Sequence, residues 1–382
     1  MNPPKKLQIG VVGAGTAGLA TAIAFAQRGH AVQVFEKHPS LATLGAGLLI
    51  QPQGVAALNA LGVRDEFILA SVPINHLLGK SHRKWTIVDV PYRQHEAHAV
   101  SRSALAHLLF SAARTAGVAV RFDANVEFVG IEGTRGVASV GGARHAFDIL
   151  VIADGAASVL PKQAGLAVAS TPYKWGALWG MFDVENWSGE RRLEQRYRTT
   201  RKMFGLMPTA RVGNKLRLSL FWSLPCDEYA GWKKSSLNAW KAELLDLWPE
   251  SAPVVDQIES HEQLTFANYH HARPMRLANP PICVIGDAAH AMSPQLGLGA
   301  TLAVQDALVL ANFVDKHGPI EGTLLYGQKR LPTVRAYQLL SKALTPCFQA
   351  DGNGLWRDML FASGLYIPGV QKLMVRSVAE PI

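Results

Sequence analysis

Three short runs of residues carry the chemistry of this chain, and they fall in a fixed order. Gly13-Ala14-Gly15-Thr16-Ala17-Gly18 comes first, with Glu36 and Lys37 downstream; Asp154-Gly155 follows; Gly286-Asp287-Ala288-Ala289-His290 comes last. Three glycines spaced in this way let a chain turn sharply after a strand, let its backbone approach a pyrophosphate, and let the following helix pack against the sheet. The pyrophosphate then sits on the helix N-terminus, where free N–H groups and the helix dipole favour negative charge. Glu36 is placed to accept hydrogen bonds from a ribose 2′- and 3′-hydroxyl pair, which disfavours a 2′-phosphate. The first motif therefore reads as a dinucleotide fingerprint and by itself fits NAD and FAD equally well.

Asp287 helps to decide between them. A carboxylate at the end of a buried apolar strand is costly without partners, and the ribityl chain of FAD offers hydroxyl donors. Gly297 and Gly299 permit close backbone approach, and the helix after them aims its positive end at the occupant of the crevice.

The elements around these motifs read as follows. Leu7 to Val12 is a short buried strand, Ala17 to Arg28 an alanine-rich helix ended by Gly29, and Ala31 to Phe35 a second strand, making a βαβ unit. Gly45 to Leu49 and Pro52 to Leu61 give a glycine turn and a helix. Residues 76 to 100 read as irregular, with a strand at Trp85 to Val90. Ser103 is expected to cap a helix that presents Leu105, Leu108, Leu109 and Ala112. Ile149 to Ala153 and Pro281 to Ile285 are further buried strands, each leading into a motif. Between about 171 and 275 the pattern changes to alternation, as in Trp175, Ala177, Trp179, Met181 and in Leu216, Leu218, Leu220, Trp222, which predicts antiparallel strands. Leu237, Trp240, Leu244 and Trp248 fall at helical spacing. The C-terminus reads as helices broken near Pro332, Pro346 and Pro368.

Composition narrows the function classes. Hydrophobic residues make up 48% of the chain and charged residues 18%, a balance that suits a compact globular protein rather than a disordered one, and the length of 382 residues suits two or three domains or one large α/β body with an insertion. The net charge of +9 is spread over dispersed Lys and Arg, so it suits attraction of anionic ligands better than a nucleic-acid interface. Ile9 to Ala26 is uncharged, but Gly10, Gly13, Gly15 and Gly18 within it favour strand, turn and helix over a membrane span. Cys226, Cys283 and Cys347 form no metal spacing and no disulfide framework, from which a reduced, cytoplasmic setting is expected. His290 is expected to be a structural hydrogen-bonding residue and His270-His271 a surface loop without a metal. Ser158 and Ser293 lack a nucleophile-elbow motif.

Taken together, Gly13-x-Gly15-x-x-Gly18, Arg102, Asp154-Gly155-x-x-Ser158 and Gly286-Asp287-Ala-Ala-His290-x-x-x-Pro294-x-x-Gly297-x-Gly299 resemble the group A flavin-dependent monooxygenases, the p-hydroxybenzoate hydroxylase family. The likeness extends through Gln305-Asp306-Ala307 and the segment Tyr326 to Arg335. It implies an α/β fold in which an FAD-binding three-layer domain, built on a Rossmann-like parallel sheet, carries an inserted antiparallel-sheet substrate domain and C-terminal helices. Residues 1–75, 101–170 and 276–315 would form the first domain, 76–100 and 171–275 the second, and 316–382 the helical end.

The resemblance also implies roles. Gly13, Gly15, Ala17, Gly18, Glu36, Lys37, Arg102, Val126, Asp154 and Asp287 would line FAD, with Glu36 on the adenosine ribose, Arg102 along the ribityl and phosphate region and the Val126 backbone at adenine. Gly297, Leu298, Gly299 and Ala300 would face the pyrimidine end of the flavin, and Pro294 would sit beside the ring where oxygen reacts. NADH or NADPH would be the passing reductant, and a C4a-hydroperoxide of the flavin would hydroxylate a small, electron-rich aromatic substrate with O2. A sheet covering the ring needs apolar side chains, for which Trp179, Met181, Phe204 and Trp222 are candidates. Where the family carries an arginine after the second motif this chain has Pro161, followed by Lys162; Leu298 and Thr301 replace a frequent Gln and Asn. A halogenase, epoxidase or reductase on the same scaffold, and a flavin-binding protein without turnover, are the alternatives.

Overall fold

In the computed structural model, residues 6–41, 47–92 and 96–364 are described. The expected turn at Gly45 and the break at Pro368 lie outside them.

A six-stranded sheet forms the base of the molecule, in the order Ala278–Asn279, Ile282–Val284, Ile149–Ile152, Gln8–Val12, Ala31–Phe35, Ala119–Arg121. Its strands run parallel except for the edge pair Ala278–Asn279 and Ile282–Val284. Strands buried on both faces read as unbroken apolar runs, and Ile9, Val11, Ile149 to Ile152 and Ile282 to Val284 are all buried. The helix Thr16–Ala26 packs against one face of the sheet between Arg102–Thr115 and the start of the long C-terminal helix. A three-stranded antiparallel meander, Val126–Glu132, Arg135–Val140 and Ala143–Phe147, covers the other side, where Phe147 lies so close to Gly10 that a methyl group on that glycine would fall 2.5 Å from its ring.

The second large element is a seven-stranded sheet, in the order Thr265–Pro274, Val168–Val184, Lys215–Pro225, Lys202–Val212, Arg192–Arg198, His76–Ser81, Thr86–Pro91. Every pair is antiparallel but one: Arg192–Arg198 runs parallel to His76–Ser81. Residues 76–91, read from sequence as largely irregular, are therefore a hairpin of this sheet, and Ala97–Ser101 pairs with both Gly47–Ile50 and Val72–Ile74. Histidines and prolines masked the alternation: His76 is bonded to Asp89 across the hairpin at 2.6 Å, and Pro91 ends its edge strand.

Two further expectations are corrected. The helix Arg102–Thr115 is capped by Ser101, whose hydroxyl accepts the Ala104 N–H at 3.1 Å, rather than by Ser103. The C-terminal helix runs from Gly299 to Phe348 through Pro332 and Pro346, and its break falls at Gly318, where φ is +78°. Glycine reaches that region without steric cost and opens a kink that Pro319 then continues from.

Candidate functional site

The three motifs meet. Gly13, at φ +100°, carries its turn so close to the second motif that a methyl group on it would fall 2.5 Å from the Ala153 carbonyl oxygen. A methyl group on Gly286 would fall 2.5 Å from the Ala17 side chain, which ties the third motif to the first. Asp287 starts the turn Asp287–His290, and its Oδ1 lies 3.7 Å from where a side chain on Gly299 would begin, at the start of the long helix. Glycine is required at Gly18 by packing alone, since a methyl group there would lie 1.9 Å from the Gly13 carbonyl oxygen. Around Gly15 and Gly155 there is open space instead.

Charge is distributed around this crevice in a defined way. The half-buried Glu36 folds back on the loop, its Oε2 accepting the Ala14 N–H at 2.7 Å and its Oε1 the His38 N–H at 3.0 Å. Burial raises the Asp154 carboxyl above the usual carboxylate range, against the pull of a Ser158 hydrogen bond and the Lys37 charge. Its Oδ1 is buried without a protein partner. Lys37 and Arg102 are exposed, and Arg102 acts electrostatically on Tyr269. Val126 is buried at the start of the meander.

Pro294 is exposed at the head of a short turn that ends at Gly297, in the left-handed region at φ +60°. Leu298 is buried against Leu296, Leu302 and Tyr337, so it anchors the turn by its side chain while Gly299 and Ala300 remain half-exposed at the helix start. The first N–H groups of a helix have no partner within it and form a ready anion site.

Beneath the third motif lies a buried charged cluster. The fully buried Asp306 bonds His290 Nε2 and Arg330 Nε through its two oxygens, each at 2.6 Å, and also accepts the Gly286 N–H at 3.3 Å. Burial pushes the Asp306 carboxyl upward, but the charges of Arg330 and His290 prevail and hold it lowered to about 2. His290 is thus enclosed in packing, where it fixes the motif to the long helix.

The aromatic candidates divide between the two faces of the seven-stranded sheet. Trp179 pairs with Phe221, and their rings lie 5.2 Å apart on the face crossed by Gly47–Ile50. Gly47 donates its N–H to Ser219 Oγ at 3.0 Å on that face, and Met181 shares it through Thr209. Phe204 and Trp222 pair with each other on the opposite face and are buried with Trp240, Leu244 and Trp248 under the helix Leu237–Leu247. They are core residues of that face and are corrected as pocket candidates. A cavity of about 460 Å³ beside Trp222, Trp232 and Glu243 lies on this same outer side, away from the three motifs.

Sequence reasoning passed over several polar residues near the site. Gln51 is fully buried, its N–H bonded to Thr301 Oγ1 at 3.2 Å and its Oε1 accepting from Tyr92 at 2.8 Å; its Nε2 is buried without a partner near Gly297. The hydroxyl of Tyr269 accepts the Trp179 indole N–H at 3.3 Å, and burial pushes its pKa up to about 12. A polar residue directly after an apolar strand, as Gln51 follows Leu48-Leu49-Ile50, was the available signal.

The profile of a family described as FAD binding domain matches residues 6–338. The 3-amino-4-hydroxybenzoate 2-monooxygenase of Streptomyces cremeus is 27% identical over 355 residues, covering 86% of this chain and 84% of that protein. The 2-heptyl-3-hydroxy-4(1H)-quinolone synthase of Mycobacteroides abscessus is 27% identical over 324 residues, covering 82% and 83%. Among solved structures, the tetrameric form of 2-methyl-3-hydroxypyridine-5-carboxylic acid oxygenase superposes with a TM-score of 0.79 at 21% identity, covering 93% of this chain and 96% of that one. The p-nitrophenol 4-monooxygenase of Pseudomonas putida gives 0.78 at 16% identity, covering 98% of each chain. These two structures share the fold described above.

Proposed function

This chain belongs to the FAD binding domain family, and on that premise we propose that it is an FAD-dependent monooxygenase that hydroxylates an electron-rich aromatic or heteroaromatic substrate with NADH or NADPH and O2. The observation that carries the reading is the convergence of Gly13 on Ala153, of Ala17 on Gly286 and of Asp287 on Gly299 around a single crevice.

The crevice fits FAD. Gly15 and Gly155 leave open backbone where a pyrophosphate needs to approach, and Asp154 Oδ1 and Gln51 Nε2 are buried polar atoms that await partners. Glu36 would hold the adenosine ribose beside Lys37, and the Val126 backbone would meet adenine. Asp154 and Asp287 would accept from hydroxyls of the cofactor, with Arg102 along its phosphates. Gly297, Leu298, Gly299 and Ala300 would bring the helix N-terminus to the pyrimidine end, where it favours negative charge. When bound, FAD supplies the redox and oxygen-activating chemistry.

The protein's share is positioning and exclusion of water. Trp179, Met181 and Phe221 would offer an apolar wall from the substrate sheet, and Pro294 would sit beside the ring where oxygen reacts. The names of the curated relatives, an aminohydroxybenzoate monooxygenase and a hydroxyquinolone synthase, support a hydroxylated aromatic or quinolone-type ring as substrate. A reduced, cytoplasmic setting fits the free cysteines Cys226, Cys283 and Cys347, and no helix among the described residues is long and apolar enough to cross a membrane.

The test is direct. Purified protein reconstituted with FAD is expected to be yellow, to oxidise NADH or NADPH faster when a substrate is added, and to place label from ¹⁸O2 in the product. Protein that takes up no FAD, or a product that carries no label, refutes the proposal.

A further inference from the structure

We propose that Gln295 and Gln349 form a paired-amide end of the substrate pocket that selects a heteroaromatic ring carrying a hydrogen-bond donor and an acceptor on one edge, as a lactam does. The inference rests on the monooxygenase reading and names the substrate class within it.

Gln295 directly follows Pro294, and Gln349 caps the end of the long helix. Gln295 Nε2 donates to Gln349 Oε1 at 2.5 Å, and the Tyr173 hydroxyl donates to the same oxygen at 2.8 Å. Both lone pairs of the Gln349 carbonyl are thereby used. What remains is one donor, Gln349 Nε2, and one acceptor, Gln295 Oε1, both buried and both without a protein partner. Unpaired buried polar atoms are costly and rare in native proteins. Two of opposite kind on amides already in contact are complementary to a ligand that brings the opposite pair. A lactam meets that need with its carbonyl on Gln349 and its N–H on Gln295.

The second observation is that the structure holds the chain on either side of Gln349 in place. Thr200 exchanges backbone bonds with the segment after it, accepting from Ala350 N at 3.1 Å, and its hydroxyl donates to Ala350 O at 2.8 Å. The fully buried Arg357 donates to the Thr199 and Cys347 carbonyls at 2.8 and 3.2 Å and is neutralised by the fully buried Asp358. Tyr173 is set edge-on against His271, with ring centroids 4.6 Å apart, and burial raises its hydroxyl pKa so that it stays a donor. A fixed amide discriminates, because a ligand lacking the matching group leaves the site's own atoms unpaired.

The experiment uses the full-length holoenzyme and two probes, 2-quinolone and N-methyl-2-quinolone, titrated against the flavin absorbance spectrum. Wild-type protein is expected to bind 2-quinolone about tenfold more tightly than the N-methyl compound, the size of one lost buried hydrogen bond. Gln295→Met is expected to bring that ratio to about two or below, and Gln349→Met, which removes the donor to the carbonyl that both probes carry, to weaken 2-quinolone binding about tenfold, with flavin content at the wild-type level in each. Binding of neither probe by wild-type holoenzyme, equal binding of both, an undiminished ratio in flavin-loaded Gln295→Met, or undiminished 2-quinolone affinity in flavin-loaded Gln349→Met overturns the proposal. Either variant suffices if the other fails to fold, since Gln295 sits in a short turn and Gln349 at a helix end. Failure of the monooxygenase reading looks different: it appears as absent flavin or unlabelled product before any probe is added.

Discussion

Glu36 and Ala14 close the glycine loop on itself: the carboxylate Oε2 accepts the Ala14 N–H at 2.7 Å, which fixes the loop before any ligand arrives. On the proposed function Glu36 would serve twice, as a clamp on the turn and as the acceptor for a ribose. Glu36→Ala is expected to weaken FAD binding by about 10- to 100-fold, the loss of one or two charge-assisted hydrogen bonds. Fluorescence quenching of free FAD on titration with apoprotein measures it; unchanged affinity would remove Glu36 from the cofactor site.

Gly15 and Gly18 are expected to respond differently to the same substitution. Gly18→Ala forces a methyl group against the Gly13 carbonyl oxygen and should destabilise the fold by about 1–3 kcal/mol or more. Gly15→Ala meets no protein atom within 4 Å, so the apoprotein should keep its Tm while FAD binding falls. Equal Tm losses in thermal melts of the two apoproteins would contradict the assignment of Gly15 to ligand approach.

The Asp306 cluster makes stability depend on acid. Its folded-state carboxyl is lowered to about 2 against 3.8 ordinarily, so its contribution is complete above pH 4 and drains away as pH falls from about 4 towards 2. Asp306→Ala leaves Arg330 and His290 buried without their partner and should cost about 3–5 kcal/mol at neutral pH. Urea melts of wild type and variant at pH 3 and pH 7 check both statements: the gap between them should narrow at the lower pH.

Trp222 and Trp179 test the two faces of the substrate sheet. Trp222→Ala should cost about 3–5 kcal/mol of stability, as removal of a buried aromatic does. Trp179→Phe keeps an aromatic ring on Phe221 but loses the indole donor to Tyr269, so it should leave Tm within a few degrees and shift the KM for the aromatic substrate. A Trp179 variant with unaltered kinetics would exclude it from the pocket wall.

How far the sequence reached depended on how local each signal was. The strand Gln8–Val12, the turn after it and the strand Ala31–Phe35 were legible because apolar runs, glycine spacing and a strand-end acid all lie within a few residues of one another. Ile149–Ile152 and Ile282–Val284 were equally legible as buried strands. The alternation through Trp179 indicates a strand, but period-two patterning cannot say which of two apolar faces is covered by a helix, and Phe204 and Trp222 lie on the face buried under Leu237–Leu247. The hairpin of residues 76–91 escaped because its partner, Arg192–Arg198, lies more than a hundred residues away and no local pattern announces a parallel pairing. Gln349 and Gln295 escaped for a similar reason: their contact exists only once the long helix has folded back to the turn after Pro294.

That one parallel pairing bears on how this architecture can be re-engineered. The seven-stranded sheet is not a continuous cassette, because its far margin is contributed by a hairpin encoded before the second motif. A chimera that grafts only residues 168–274 from a relative would confront a foreign Arg192–Arg198 strand with the host's His76–Ser81, and mismatched side chains would meet along the seam. Exchange of specificity between relatives therefore calls for moving two separate gene segments together, and libraries built on the later segment alone would lose members to misassembly before activity is ever screened.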